Sequence, residues 1–203
     1  MTIDDVDAAF AARFAELAPS SSAVVVSGSM PSGAGDGALA GLVATARAAS
    51  RPIVVDTSGR ALAEALEARP TLVKPNADEL VELTGERDPL TAAAQVARRY
   101  AVDVVASIGP DGLIAVSGDG TGIWRARPAR ALSGNPTGAG DALVAGLALG
   151  LARRDALREL LIDGIAFSAA AVLAPHAGDV DPAEVATQRA GALVSAVDPE
   201  GAR

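Results

Sequence analysis

Two kinds of apolar run alternate along the chain. Some are short and nearly unbroken: Ala23 to Val26, Pro52 to Asp56, Thr71 to Val73 and Val102 to Ser107. Such runs predict strands buried on both faces, as in a parallel sheet. Others repeat at three and four. Ile3, Val6, Phe10, Phe14 and Leu17 fall on one stripe of a helix over 3–18. Leu143, Leu147 and Leu151 mark a helix that starts near Asp141 or Ala142. Further helices are expected over 36–49, 60–68, 77–84, 89–100, 155–173 and 182–197. Leu113 to Val116 and Ile123 to Ala126 form a hairpin turned by Ser117-Gly118-Asp119-Gly120. The alternation predicts an α/β fold: a mostly parallel sheet with helices on both faces, one domain over 1–203. There is no internal repeat or linker, and Asp198 to Arg203 should fray.

Polar loops follow the predicted strands, at the end where open α/β sheets bind ligands. The densest chemistry lies in Ser133 to Leu151. Gly138, Ala139 and Gly140 make a tight turn that lets backbone approach a ligand with little side chain in the way. Free N–H groups at the helix start then form an anion site. Asp141 sits at the same end, where it could take a proton from a hydroxyl attacking a phosphate. The plainer alternative is an aspartate capping a turn.

Lys74-Pro75-Asn76-Ala77-Asp78-Glu79-Leu80 is a second constellation. Asn76 and Glu79 lie three apart and project from one side of a first helical turn. They could hold a hydrated Mg²⁺ beside phosphates, with Lys74 adding positive charge. A capping box accounts for the same pair. Ser107 to Gly112, with Gly109 between, is a third glycine-bearing loop, read as a turn or a nucleotide contact.

Composition narrows the classes. The 203 residues suffice for one sizeable core, and half are hydrophobic. A net charge of -8 without a basic tract argues against nucleic acid as a partner. The absence of cysteine excludes disulfides and thiolate metal sites, and one histidine excludes a His-rich zinc site. No apolar run is long enough to span a membrane. The N-terminus is acidic rather than signal-like, so a cytoplasmic location is expected.

Four segments in order carry a resemblance: SGSMPSG at 27–33, DTSG through KPNADEL at 56–80, SIGPDG at 107–112 and PTGAGDA at 136–142. Together they resemble the ribokinase-like carbohydrate kinases of the PfkB type. The Lys-Pro-Asn and Ser-Gly-Ser-x-Pro forms look most like its 1-phosphofructokinase and tagatose-6-phosphate kinase branch. The resemblance implies a three-layer α/β/α fold and ATP-dependent phosphorylation of a sugar phosphate: fructose 1-phosphate first, then tagatose 6-phosphate or fructose 6-phosphate. It implies Asp141 as base, with the amides of Gly138, Ala139 and Gly140 as anion hole. It further implies Asn76 and Glu79 positioning Mg²⁺ and Lys74 along the ATP phosphates. Ser107, Gly109 and Gly112 would contact the nucleotide and Ser29 the phosphosugar. His176 would lie in a loop near the adenine, or simply at the surface.

The same resemblance implies truncation at the N-terminus, leaving the C-terminal two-thirds of the family fold. An early strand, most of the sugar-holding residues and a lid would be missing. Three expectations follow: weak or absent activity alone, an open sheet edge beside Ala23 to Ser27, and a homodimer or a complementing N-terminal segment as partner. The alternative is a non-catalytic nucleotide-binding remnant or one half of a two-chain kinase. A dinucleotide-binding domain is disfavoured because no G-x-G-x-x-G follows the first strand.

Overall fold

Side chains that alternate along each strand feed two separate cores. The computed structural model describes residues 3–31, 33–35 and 37–198, with side chains from Ala8 onward. Its strands are β1 (Val24–Ser27), β2 (Ile53–Asp56), β3 (Leu72–Val73), β4 (Asp103–Ser107), β5 (Leu113–Val116), β6 (Ile123–Arg127) and β7 (Leu193–Ala196). They lie in one sheet in chain order. β1 to β4 pair in parallel, and β5, β6 and β7 add antiparallel pairings.

Because each parallel step moves the same way across the sheet, right-handed crossovers put their helices on one face. These are α2 (Ala38–Ala48), α3 (Gly59–Glu67), α4 (Ala77–Thr84) and α5 (Pro89–Tyr100). They bury Leu39, Leu62, Leu80 and Val96 against Ile53, Val55, Val104 and Ile114. On the other face α6 (Ala139–Arg153) and α7 (Leu157–Leu173) bury Leu143, Leu147 and Leu161 against Val54, Leu72, Val105 and Ala115. This is the expected three-layer arrangement. Each fully buried Leu or Val stabilises it by about 1.5–3 kcal/mol. The pair α6 and α7 lies very close: a Cβ on Gly146 would sit 2.8 Å from the Asp163 carbonyl oxygen.

Local signals explain the helix ends on the first face. Asn76 and Glu79 close a capping box at the start of α4. Asp88 accepts from the Thr91 N–H at the start of α5, and Pro89 occupies its first turn. Both helices have the predicted bounds.

Four expectations need correction. The run Ala23 to Val26 is not buried on both faces: Val25 is 42% exposed, because among the described residues β1 pairs only with β2 and ends the sheet. On α1 (Ile3–Leu17), Phe10 and Leu17 are exposed and only Phe14 packs against the core. The side chains of Ile3 and Val6 lie outside the described residues. The helix expected over 182–197 stops as α8 (Pro182–Gly191). Leu193–Ala196 instead pairs with the remaining edge of β6, so ladder hydrogen bonds override local helical spacing. Finally, α6 starts at Ala139, two residues before the first expected position. The fraying expected after Asp198 falls outside the described residues. No helix among the described residues is long and apolar enough to cross a membrane.

Candidate active site

Strand register builds a row of polar side chains. Ser27 of β1 stands opposite Asp56 of β2. The Lys74 N–H donates to the Val55 carbonyl at 3.0 Å, which carries that row on to the end of β3. Alternation sets the face. Ala23, Val54 and Leu72 pack in the core beneath α6, so Ser27, Asp56 and Lys74, at even spacing from them, share that side. The start of α6 lies there too.

The contacts follow. Lys74 Nζ meets Asp56 Oδ1 at 3.1 Å, with the two side chains 8% and 18% exposed. The Ser27 hydroxyl lies 3.4 Å from Asp56 Oδ2 and 3.4 Å from Asp141 Oδ1. A line of groups therefore runs from a buried ammonium through two carboxylates and a hydroxyl to the first turn of α6. No salt bridge among the described residues involves Asp141.

The turn before α6 is specified by glycine. Gly138 is the N-cap with φ 85°, and a Cβ there would lie 2.7 Å from the Gly178 nitrogen. The loop carrying His176 to Gly178 thus buttresses the turn. The Ala139 N–H donates to the Pro136 carbonyl. No acceptor among the described residues takes the N–H groups of Gly138, Gly140 or Asp141. The turn's free donors among the described residues are therefore the N–H groups of Gly138, Gly140 and Asp141, whereas that of Ala139 is engaged.

The second constellation is adjacent. Ser107 N–H donates to the Pro75 carbonyl at 3.0 Å, and Ser107 and Asn76 form a parallel bridge. This joins the 74–79 segment to the 107–112 loop. Asn76 Oδ1 accepts from the Glu79 N–H, and Glu79 Oε2 accepts from the Asn76 N–H, both at 2.8 Å. The capping box is therefore formed. In the 107–112 loop Gly112 is required by packing, since a Cβ would meet the Ala126 carbonyl oxygen at 2.1 Å. Gly109 has φ +61° and open space beside it. Ser29 is exposed, two residues beyond Ser27, and no hydrogen bond among the described residues joins it to the row. His176 is exposed as well.

Residue types and spacing did not single out Ser27 and Asp56. Their signal was position: each is the polar residue ending an apolar run, inside the segments at 27–33 and 56–59.

Known proteins match this chain widely. The profile of the pfkB family carbohydrate kinases matches residues 4–184. A 1-phosphofructokinase of Vibrio cholerae is 34% identical over 205 residues, covering 98% of this chain and 63% of that protein. The 1-phosphofructokinase of Escherichia coli K12 is 34% identical over 172 residues, covering 82% and 54% respectively. Among solved structures, phosphofructokinase-2 from Escherichia coli in complex with potassium superposes with a TM-score of 0.79 at 29% identity. It covers 89% of this chain and 61% of its own. This chain thus spans 54–63% of the length of those two curated relatives.

Proposed function

Since the chain belongs to the pfkB family of carbohydrate kinases, we propose that it catalyses ATP-dependent phosphoryl transfer to a sugar phosphate in the cytoplasm. Fructose 1-phosphate is the first candidate acceptor, ahead of tagatose 6-phosphate and fructose 6-phosphate. One observation carries the proposal. A carboxylate, Asp141, shares the first turn of α6 with the unpaired amides of Gly138 and Gly140. Phosphoryl transfer asks for both parts: donors for the charge on the transferring group, and an acceptor for the hydroxyl proton.

The roles divide accordingly. Asp141 accepts the proton of the sugar hydroxyl. The amides of Gly138, Gly140 and Asp141 hold the phosphoryl oxygens, and Ala139 shapes the turn. Lys74, kept paired with Asp56, adds positive charge along the ATP phosphates, Ser107 and Gly109 border the nucleotide, and Ser29 meets the phosphosugar. Gly112 serves the nucleotide loop by letting it close against β6. Asn76 and Glu79 suit a hydrated Mg²⁺ rather than a stripped one. Each has one side-chain oxygen engaged in the capping box, and no trio of acidic, His or Cys side chains among the described residues could encage a metal. Glu79 Oε1 would hold the ion through water, and the ion would offset phosphate charge.

The test is an ATP-dependent assay over the three phosphosugars with the wild-type chain and Asp141→Asn. Slow transfer to fructose 1-phosphate, lost in Asp141→Asn with ATP affinity kept, is the expected result. Equal turnover by both proteins would overturn the assignment of Asp141. The free edge of β1 and the exposed Val25 favour a second reading, one half of a two-chain kinase completed by a further strand-bearing segment. Turnover that rises on adding such a segment would favour it.

A further inference from the structure

The Ser27 hydroxyl has one proton and two carboxylates within reach, each at 3.4 Å. The two acceptors are not equivalent. Asp56 already receives the Lys74 ammonium at 3.1 Å. Asp141 has no cation within ion-pair distance among the described residues. A hydroxyl proton goes to the less compensated carboxylate, so Asp141 is the favoured partner. At 3.4 Å the contact is longer than an ordinary O–H···O bond. Catalytic hydrogen bonds are commonly long before substrate binds and shorten when it arrives.

We propose that Ser27 is a positioning residue for Asp141: its hydroxyl holds Oδ1, leaving the other carboxylate oxygen to accept the proton of the incoming alcohol. The inference rests on Asp141 acting as base. It follows from the fold as well as from the distances. Ser27 ends β1 in register with Asp56, so its hydroxyl is anchored by the sheet, whereas Asp141 sits on a helix held beside it. A carboxylate on an exposed first turn rotates freely unless something fixes it, and the cost of misplacement falls on the reaction rather than on binding. The neighbouring ion pair completes the device. With Lys74 engaged, Asp56 does not compete for the Ser27 proton.

Ser27 is exposed, so Ser27→Ala should fold. Steady-state transfer from ATP to fructose 1-phosphate is measured for the wild-type chain, Ser27→Ala, Ser27→Thr and Asp141→Asn. Ser27→Ala should lower kcat about tenfold to a hundredfold and leave KM for ATP and for the phosphosugar within about twofold. Ser27→Thr, which keeps the hydroxyl, should recover most of the loss. The inference falls if Ser27→Ala turns over like wild type while Asp141→Asn is inactive. It also falls if Ser27→Ala changes KM alone, or if Ser27→Thr is as slow as Ser27→Ala. Wild-type turnover in Asp141→Asn overturns the proposed role of Asp141 and this inference with it; no turnover by the wild-type chain, alone or with an added N-terminal strand-bearing segment, overturns the proposed phosphoryl transfer on which the inference rests.

Discussion

Lys74 is held near the candidate site by one carboxylate, and cutting that tie should be costly. At 3.1 Å and an effective dielectric constant of about 20, Lys74 and Asp56 attract by roughly 5 kcal/mol before desolvation is counted. Burial offsets much of that gain, so the net worth of the pair is small. Removing one member is different. Lys74→Met leaves the Asp56 carboxylate, 18% exposed, with only the Ser27 hydroxyl at 3.4 Å. Breaking a fully buried pair costs about 3–5 kcal/mol. Asp56 keeps some access to water, so we expect about 2–3 kcal/mol, equivalent to a Tm loss of about 5–10 °C for a chain of this size.

Asp56→Asn strands the ammonium and should cost a similar amount. The double variant removes both charges and should lose less than the sum, with a coupling of about 1.5–3 kcal/mol. Urea unfolding of the four proteins, compared at equal m values, measures each corner of the cycle. Additivity within about 0.5 kcal/mol would refute the reasoning, because it would mean that the two groups do not support one another.

Two further outcomes are expected. Gly138→Ala places a side chain in left-handed backbone, costing about 1–2 kcal/mol, and drives its Cβ into the Gly178 backbone at 2.7 Å. The total loss should be about 2–4 kcal/mol with weakened ATP binding, and a Tm within about 2 °C of wild type would contradict it. Asp103 tests pH dependence: burial pushes its carboxyl above the ordinary value, the Gly118 N–H opposes this, and the Asp119 charge adds to it. A raised carboxyl binds its proton more tightly when folded, so its ionised form penalises the fold above the folded pKa, and the penalty disappears as pH falls. Asp103→Asn keeps an acceptor for the Gly118 N–H and should raise Tm at neutral pH. That gain should fade below about pH 4. An equal change at both pH values in thermal melts would rule this out.

What could be read from the chain, and what could not, divides along a physical line. Apolar spacing reports which residues leave water, and it placed β2, β4, α4 and α5 closely. It does not report neighbours. Val25 and Val54 sit in similar valine-rich runs, but Val25 is 42% exposed and Val54 fully buried, because one strand ends the sheet and the other lies inside it. The segment after Gly191 carries helical spacing, yet β6 offers an unpaired edge, and pairing decided. Apolar spacing does not mark the start of α6, because Ala139, Gly140 and Asp141 carry no large apolar side chain. Their place in the helix depends on the Gly138 carbonyl, which accepts from the Ala142 N–H.

The row Ser27, Asp56, Lys74 depends on register in the same way. Each residue was visible as the polar end of a strand. Only parallel pairing set Ser27 against Asp56 and carried the row to Lys74. Two-residue alternation then turned all three toward α6. Slipping β1 by one residue would send its side chains to the opposite face and separate Ser27 from Asp141. Val24 resists that slip because it is buried among Leu39, Val43 and Ile53 on the other side of the sheet. The hydrophobic core beneath α2 thus fixes the contact between Ser27 and Asp141, although none of its residues reaches the site.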